Sequence, residues 1–350
     1  MENLKNNPDI KKILVIQFRQ IGDVLLSTPF VRILKQNFPD CRIDFLTEPG
    51  PAQILEGNPC ITDIVLFHHR NNNFKALCFY WSLKKRRYDL VFDLQGTTGT
   101  SLAAFFSKAK YRIGYNVRGR RWLYTIQVQP PREEKYTALN RLSLLKEIGI
   151  SEEDWKLDLF LQREDEESAE SFLNSSGWKD EFIVAISPTS RRQTRCWIPE
   201  GFIATAKMMI AKYHAKVLLL WGPGEKEYVQ KIAEAIGPGA VLIPPTSIRQ
   251  MAAFIAKTRV LITNNNGQKH LATALGIPTI TIYGSSSDKA WNPPDRVNHR
   301  VVKGEIPCIG CHLSVCEHLT CMYLVNESDI ERELLQIPGL QPFLNVTGEV

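Results

Sequence analysis

Apolar runs of strand length alternate with segments of helical period along the chain. In the first half, the runs 12–18, 42–48, 62–67 and 89–95 predict strands, with "RIGYN" (Arg112–Asn116) and "KLDLFL" (Lys156–Leu161) as two more. Helical spacing recurs near 24–37, 52–57, 74–87, 98–108 and 137–149. An acidic helix at about 164–176 opens a second series. Its strands are expected at 182–187, 216–221, 240–244, 260–264 and 279–284. Its helices are expected at 199–213, 225–236, 247–257 and 267–275, with a last one near 328–336.

Strands alternating with helices imply parallel sheets covered by helices on both faces. The apolar runs are continuous rather than alternating, as strands covered on both faces require. The expected fold class is therefore α/β, with two Rossmann-like doubly wound domains, 1–165 and 166–350, joined near 162–180. Open sheets of this kind bind ligands beyond the carboxyl ends of their strands. With two of them, the expected site is a cleft that both face, and the loops that follow strands are the ones to read.

Composition narrows the class. A chain of 350 residues with 44% hydrophobic residues can bury a core in each half. The start, "MENLKNNPDIKK", has no apolar signal region, and no apolar run approaches the ~18–20 residues of a membrane span. A soluble, cytoplasmic protein is expected. The net charge of +6 is a mild excess. It is gathered in "KKRR" (Lys84–Arg87), "RGRR" (Arg118–Arg121) and "RRQTR" (Arg191–Arg195). Such clusters are solvated surface, or they meet an anionic substrate, an anionic membrane or nucleic acid. Few aromatics interleave with them and no nucleic-acid-binding signature occurs, so nucleic acid is not an expected partner.

The first strand runs into "RQIGDVLLSTP". Gly22 permits a tight turn, and Asp23 falls in the first turn of the following helix. A carboxylate there can cap the helix, whose N-terminus stabilises negative charge. It can equally serve as a general base, and the two roles are compatible. "QGTTGTS" follows the strand at 89–95 and makes Gln95 and Thr97 candidates to bind hydroxyl-rich or phosphate groups. "SPTSRRQTRCWIPEGF" sets Ser190, Arg191 and Arg195 between a strand end and a helix start, a suitable place for phosphate. Glu225 in "GPGEKE" can accept hydrogen bonds from a ribose or a base edge, or simply stand in a first helical turn. "NNNGQKHLATALG" places Asn265, Asn266, Gly267 and His270 at another helix start that could cradle a diphosphate, with Lys269 beside them. No D-x-D pair is present to hold a metal–diphosphate. Arginines and helix N-termini would have to neutralise a departing diphosphate instead.

These segments together resemble the ADP-heptose:lipopolysaccharide heptosyltransferases, glycosyltransferase family 9. The resemblance runs from about Lys12 to Val325 and rests on "IGDVLLSTP", "YDLVFDLQG", "RIGY", "TRCWIPEGF", "LLLWGPGE", "TNNNGQKHLATALGIPTITIYG" and "WNPPD", in the family's order. It implies a two-domain glycosyltransferase B fold, with the acceptor in the N-terminal domain and the donor in the C-terminal one. The last helix often packs back on the N-terminal domain in this fold. It also implies an inverting, metal-independent enzyme at the inner face of the inner membrane, with an ADP-sugar donor and an anionic lipopolysaccharide core as acceptor. Asp23 matches the general base. Ser190 and Arg191 match diphosphate contacts, and Glu225 a ribose contact. Arg195 stands where the family usually has lysine. Asn265 replaces the family's acid, which lies close to the donor sugar. Arg120 and Arg121, in the acceptor half, are candidates for carboxylates or phosphates of the core. A non-catalytic nucleotide-sugar-binding protein of the same fold is the alternative.

Cys308, Cys311, Cys316 and Cys321 lie in "CIGCHLSVCEHLTC". They are read first as buried free thiols or a redox-labile staple, and second as ligands of a structural zinc to which His312 and His318 could add, because the later pair lacks C-x2-C spacing. No cofactor is expected otherwise.

Overall fold

The computed structural model describes residues 4–69, 71–131 and 133–344. The chain divides into two compact units, Met1–Phe160 and Leu161–Val350. Each is built on one six-stranded parallel sheet. The first holds β1 (Lys12–Ile16), β2 (Arg42–Thr47), β3 (Asp63–Leu66), β4 (Leu90–Asp93), β5 (Tyr111–Tyr115) and β6 (Ile126–Val128), in the order β3-β2-β1-β4-β5-β6. The second holds β7 (Ile183–Ser187), β8 (Lys216–Leu219), β9 (Ala240–Leu242), β10 (Val260–Asn264), β11 (Thr279–Tyr283) and β12 (His299–Lys303), in the order β12-β11-β10-β7-β8-β9. Counted from its own first strand, the second sheet repeats the 3-2-1-4-5-6 order of the first. Both are Rossmann sheets, as the alternating pattern implied.

The central strands are buried along their whole length, save Lys12 at the start of β1, which is why they read as unbroken apolar runs. β6 ("IQV") and β12 ("HRVVK") escaped that reading because each is an edge strand with partly exposed, polar positions. Lys156–Leu161 is a correction: it forms no strand. Its backbone bonds to side chains of helix Thr28–Asn37 instead. Asp158 N donates to Thr28 Oγ1 (2.8 Å), and Arg32 Nη2 donates to the Lys156 carbonyl (2.8 Å) and pairs through Nη1 with Asp158. With its polar groups met this way, the segment needs no neighbouring strand.

The helix expected at 24–37 is two, Ile21–Leu25 and Thr28–Asn37, the second started by Pro29 near its N-terminus. The helix expected at 52–57 is the short Pro49–Ala52 followed by turns. Helix Arg163–Ser175 packs on helix Ile248–Ala256 through Phe172 against Phe254 (5.5 Å between rings) and the Arg249–Asp165 ion pair (2.6 Å). It therefore belongs whole to the second unit.

The helix expected near 328–336, Glu327–Leu334, packs in the second unit as well. Ile330 and Leu334 enter the core that holds Trp197, Phe202 and Tyr213. Glu331 accepts from Lys212 Nζ (2.7 Å) and Tyr213 Oη (2.5 Å), and Arg300 pairs with Glu333 (2.6 Å). No helix among the described residues is long and apolar enough to cross a membrane.

Candidate active site

In each sheet the strand order reverses at one place, between β1 and β4 in the first and between β7 and β10 in the second. Ligands of open α/β sheets collect at these switch points. The loops after these four strands and the helix starts they lead into contain Asp23, Gln95 and Thr97 in the first unit, and Ser190, Arg191, Arg195, Asn265, Asn266, Gly267 and His270 in the second.

In the first unit Asp23 lies in the first turn of helix Ile21–Leu25. Its Oδ2 accepts from the Gln20 backbone N–H (3.1 Å), so it does cap the helix. Its Oδ1 accepts from Arg141 Nη2 (2.9 Å), a residue the sequence reading passed over. Arg141 Nη1 also bonds the Asp23 carbonyl and Ser27 Oγ (3.0 Å). Helix Thr137–Leu142 supplies this arginine on the same stripe as buried Ala138 and Leu142. A lone charge at an apolar helical position was the signal available for it.

Gln95 bridges two of the loops. Its Oε1 accepts from the Phe18 N–H (2.9 Å) and from Gln17 Nε2 (3.1 Å). The turn that presents Gln95 is fixed by Asp93, which is fully buried. Asp93 Oδ1 accepts from the Gln95 and Gly96 N–H groups (3.0 and 2.9 Å), and Oδ2 from Tyr124 Oη (2.7 Å). Burial pushes its carboxyl pKa up, against the pull of those hydrogen bonds. Tyr124 reaches it because residue 114 is glycine: a Cβ there would lie 2.4 Å from the tyrosine ring. Thr97 is occupied in capping helix Thr98–Phe106 with Thr100. Arg120 Nε donates to the Gly96 carbonyl (3.1 Å), which brings Arg120 to the Gln95 loop, while Arg121 is exposed.

In the second unit the asparagine run ties three loops together. Asn264 accepts from the Trp197 N–H (2.8 Å) and donates to the Pro188 carbonyl (3.0 Å). Asn266 caps helix Gly267–Ala274 through the Lys269 N–H (3.1 Å) and donates to Ser187 Oγ (2.9 Å) and the Thr189 carbonyl (3.0 Å). Asn265 donates to Ser286 Oγ (3.0 Å) in the loop after β11. Glu225 accepts from Thr189 Oγ1 (2.8 Å) and the Gly222 N–H (2.7 Å), joining the loop after β8 to the one after β7.

The cations are set around this frame. Arg191 is exposed and Ser190 half-buried. Arg195 is half-buried, and its Nε is buried without an acceptor among the described residues. Burial, and then the nearby Arg192, lowers its guanidinium pKa. An anion would relieve both conditions. Lys269 is turned away from them: it is fully buried, with Nζ bonded to Tyr283 Oη (3.0 Å) and to the Trp291 carbonyl. Burial first, and Arg296 second, pushes its ammonium pKa well down. His270 is buried edge-on to Trp291, 6.1 Å between rings.

Cys308, Cys311, Cys316 and Cys321 are free thiols, the first two exposed. Among the described residues, no group of three or more His, Cys, Asp or Glu is placed to hold a metal ion.

Comparison with known proteins identifies the family and the fold. The profile of glycosyltransferase family 9 (heptosyltransferase) matches residues 77–319. The lipopolysaccharide heptosyltransferase 3 of Escherichia coli K12 is 26% identical, over 79% of this chain and 83% of its own. The glycosyl transferase family 9 structure from Veillonella parvula superimposes with a TM-score of 0.82 at 22% identity, covering 94% of this chain and 97% of that one. The E. coli heptosyltransferase WaaC, solved with ADP, gives 0.72 at 17% identity, over 92% and 98%. At these identities the structural likenesses establish the shared fold, while the profile, which spans more than half the chain, establishes the lineage: this chain belongs to glycosyltransferase family 9, the heptosyltransferases.

Proposed function

We propose that this chain moves a heptose, or a closely related sugar, from an ADP-sugar to the inner core of a lipopolysaccharide, with inversion at the anomeric carbon and without a metal ion. The observation that carries this reading is the division of chemistry between the switch points. The first unit offers a carboxylate and the second a half-buried arginine beside helix N-termini. The names of the relatives, a lipopolysaccharide heptosyltransferase and an enzyme solved with ADP, supply the substrate classes.

In the proposed reaction the acceptor hydroxyl gives its proton to Asp23. Its oxygen forms a bond to the anomeric carbon as the bond from that carbon to the β-phosphate oxygen breaks. The nucleoside diphosphate leaves with the bonding electrons. Asp23 is suited to the first part because Gln20 and Arg141 each occupy one lone pair of a carboxylate oxygen and leave another for the acceptor. The side chain is also 25% exposed, so it can be reached. A general base of this kind is worth ~10²–10⁴-fold in rate. Arg191, Arg195, Ser190 and the N–H groups at Gly267 would meet the growing charge on the diphosphate, commonly the largest catalytic effect. Glu225 would hold the ribose and His270 would line the donor pocket. Gln95, Arg120 and Arg121 would orient the acceptor.

Calorimetric titration with ADP, UDP and GDP tests the donor. ADP should bind tightest; a preference for UDP or GDP would reassign it, and no binding would remove the enzyme reading. An Asp23→Asn protein should keep its ADP affinity and lose at least ~10²-fold in turnover. Near-normal turnover would take Asp23 out of the mechanism.

A further inference from the structure

Helix Gly267–Ala274 carries a lysine where an apolar side chain would serve the fold better. Lys269 is fully buried, on one face with buried Ala272 and Thr273 at i+3 and i+4. An ammonium held out of water costs far more than an apolar group of the same length. Burial, and then Arg296, pushes its pKa well down, which reflects that cost. A residue that breaks the local rule inside a core points to function rather than to stability.

What the lysine gains is a set of bonds to one loop. Its Nζ reaches Tyr283 Oη (3.0 Å) at the end of β11, and the Trp291 carbonyl in the connection between β11 and β12. Tyr283 Oη in turn donates to Asn292 Oδ1 (3.3 Å). Asn292 Nδ2 donates to the His299 carbonyl (2.8 Å), at the start of β12. Tyr283, Asn292 and His299 are all buried. The donors run one way along this chain, from the helix start to the next strand. A second tie starts four residues earlier, where Asn265 Nδ2 donates to Ser286 Oγ (3.0 Å). Together the two ties grip residues 286–291 at both ends. The short helix Asp288–Trp291 lies between them, and its last residue meets the His270 ring edge-on at 6.1 Å.

We propose that Lys269 is a positioning residue, a latch that holds residues 286–291 against the start of helix Gly267–Ala274 and so sets the wall of the donor pocket that faces the sugar. Being fully buried, the lysine meets no ligand itself and acts through Trp291 and His270. Arg195 and Glu225, assigned above to the diphosphate and the ribose, stand on other loops, which leaves the sugar as the part of the donor that this latch governs. The inference rests on the donor-site reading and deepens it, by naming the loop that must be held and the residue that holds it.

The test is kinetic first. With ADP-heptose as donor and a delipidated core as acceptor, Lys269→Met should lower kcat by ~10–100-fold, the cost of a misplaced reacting group. Its ADP affinity by calorimetry and its acceptor KM should not change. Its melting temperature should fall by less than ~5 °C, because relief of the buried ammonium offsets the hydrogen bonds lost. Tyr283→Phe removes the middle of the chain and should reproduce part of the kcat loss. The double variant should be no slower than Lys269→Met alone, since both changes break one connected set of bonds. A measure free of substrate is fluorine NMR of the full chain labelled with fluorotryptophan. The Trp291 line, identified by its absence from Trp291→Phe, should shift or broaden in Lys269→Met while the other lines stay in place. Wild-type turnover, a larger fall in melting temperature, or a matching loss of ADP affinity would overturn the proposal. So would an unmoved Trp291 line, or additive losses in the double variant. Should the chain bind no ADP and transfer no sugar, the active-site reading fails, and the Trp291 line still decides for or against the latch.

Discussion

Arg141 holds Asp23 at two points, donating from Nη2 to the carboxylate Oδ1 at 2.9 Å and from Nη1 to the main-chain carbonyl of the same residue. The arginine side chain is 6% exposed, so the clamp is rigid and shielded. The proposed base is thus fixed in both position and direction by a residue more than a hundred positions away. Arg141→Met should reduce kcat by ~10–100-fold, the size expected when a reacting group is displaced by about 1 Å. ADP affinity, measured by calorimetry, should not change. Arg141→Lys should recover little, because one ammonium cannot reproduce a two-point fork.

Arg195 makes the matching prediction for the donor. Its buried Nε has no acceptor among the described residues, so a diphosphate oxygen is the natural partner. Arg195→Met should weaken ADP binding by ~10–100-fold, in the range of a lost charge-assisted hydrogen bond. Adenosine, which has no phosphate, should bind both proteins alike.

Gly201 tests how the loop after β7 is held. A Cβ at that position would lie 2.3 Å from Trp197 Cζ2, and Trp197 is fixed by its N–H bond to Asn264. Gly201→Ala should destabilise the second unit by ~1–3 kcal/mol, as overpacking in a close-packed core does. Thermal unfolding would show it, and ADP affinity should fall with it because the displaced tryptophan moves the loop that carries Arg195.

His299 predicts an acid limit to stability. It is buried beside Thr279 Oγ1 (3.0 Å), and burial lowers its pKa to about 4, partly opposed by Asp295. Its folded pKa lies below the unfolded value of 6.5. Between these two values the unfolded chain binds the proton and the native chain does not, so stability falls as pH drops from about 6.5 to 4. The loss should reach ~3 kcal/mol at the bottom of that window. Denaturant titrations should show a slope there that is largely absent from His299→Asn.

The fold was legible because both sheets bury their central strands completely. Ile13, Val91, Val184 and Ile262 sit in runs that only a doubly covered strand explains. The edge strands β6 and β12 were not legible, since exposed Gln127 and half-buried Arg300 break the apolar run. Lys156–Leu161 misled for the opposite reason: its alternation suits a strand, but its hydrogen bonds go to Arg32 and Thr28. At the candidate site, local signals served well where a loop follows a strand, as at Asp23 and Asn266. They failed where the partner is remote in sequence. Nothing near Asp23 announces Arg141, and nothing near Gln95 announces Tyr124. Lys269 shows a further limit, because sequence gives its ionisable group and only the fold shows the burial that pushes its pKa down.

The repeated strand order has a consequence for how such enzymes diversify. Each sheet closes its own core and carries its own ligand loops, so the two halves can drift independently. On the proposed assignment, a new sugar would call for changes around positions such as Asn265 and its partner Ser286, and a new acceptor for changes around Gln95 and Arg120. Catalytic machinery on one side can stay constant while the other is rewritten. A lineage built this way can explore donor and acceptor combinations as a grid rather than as a single path.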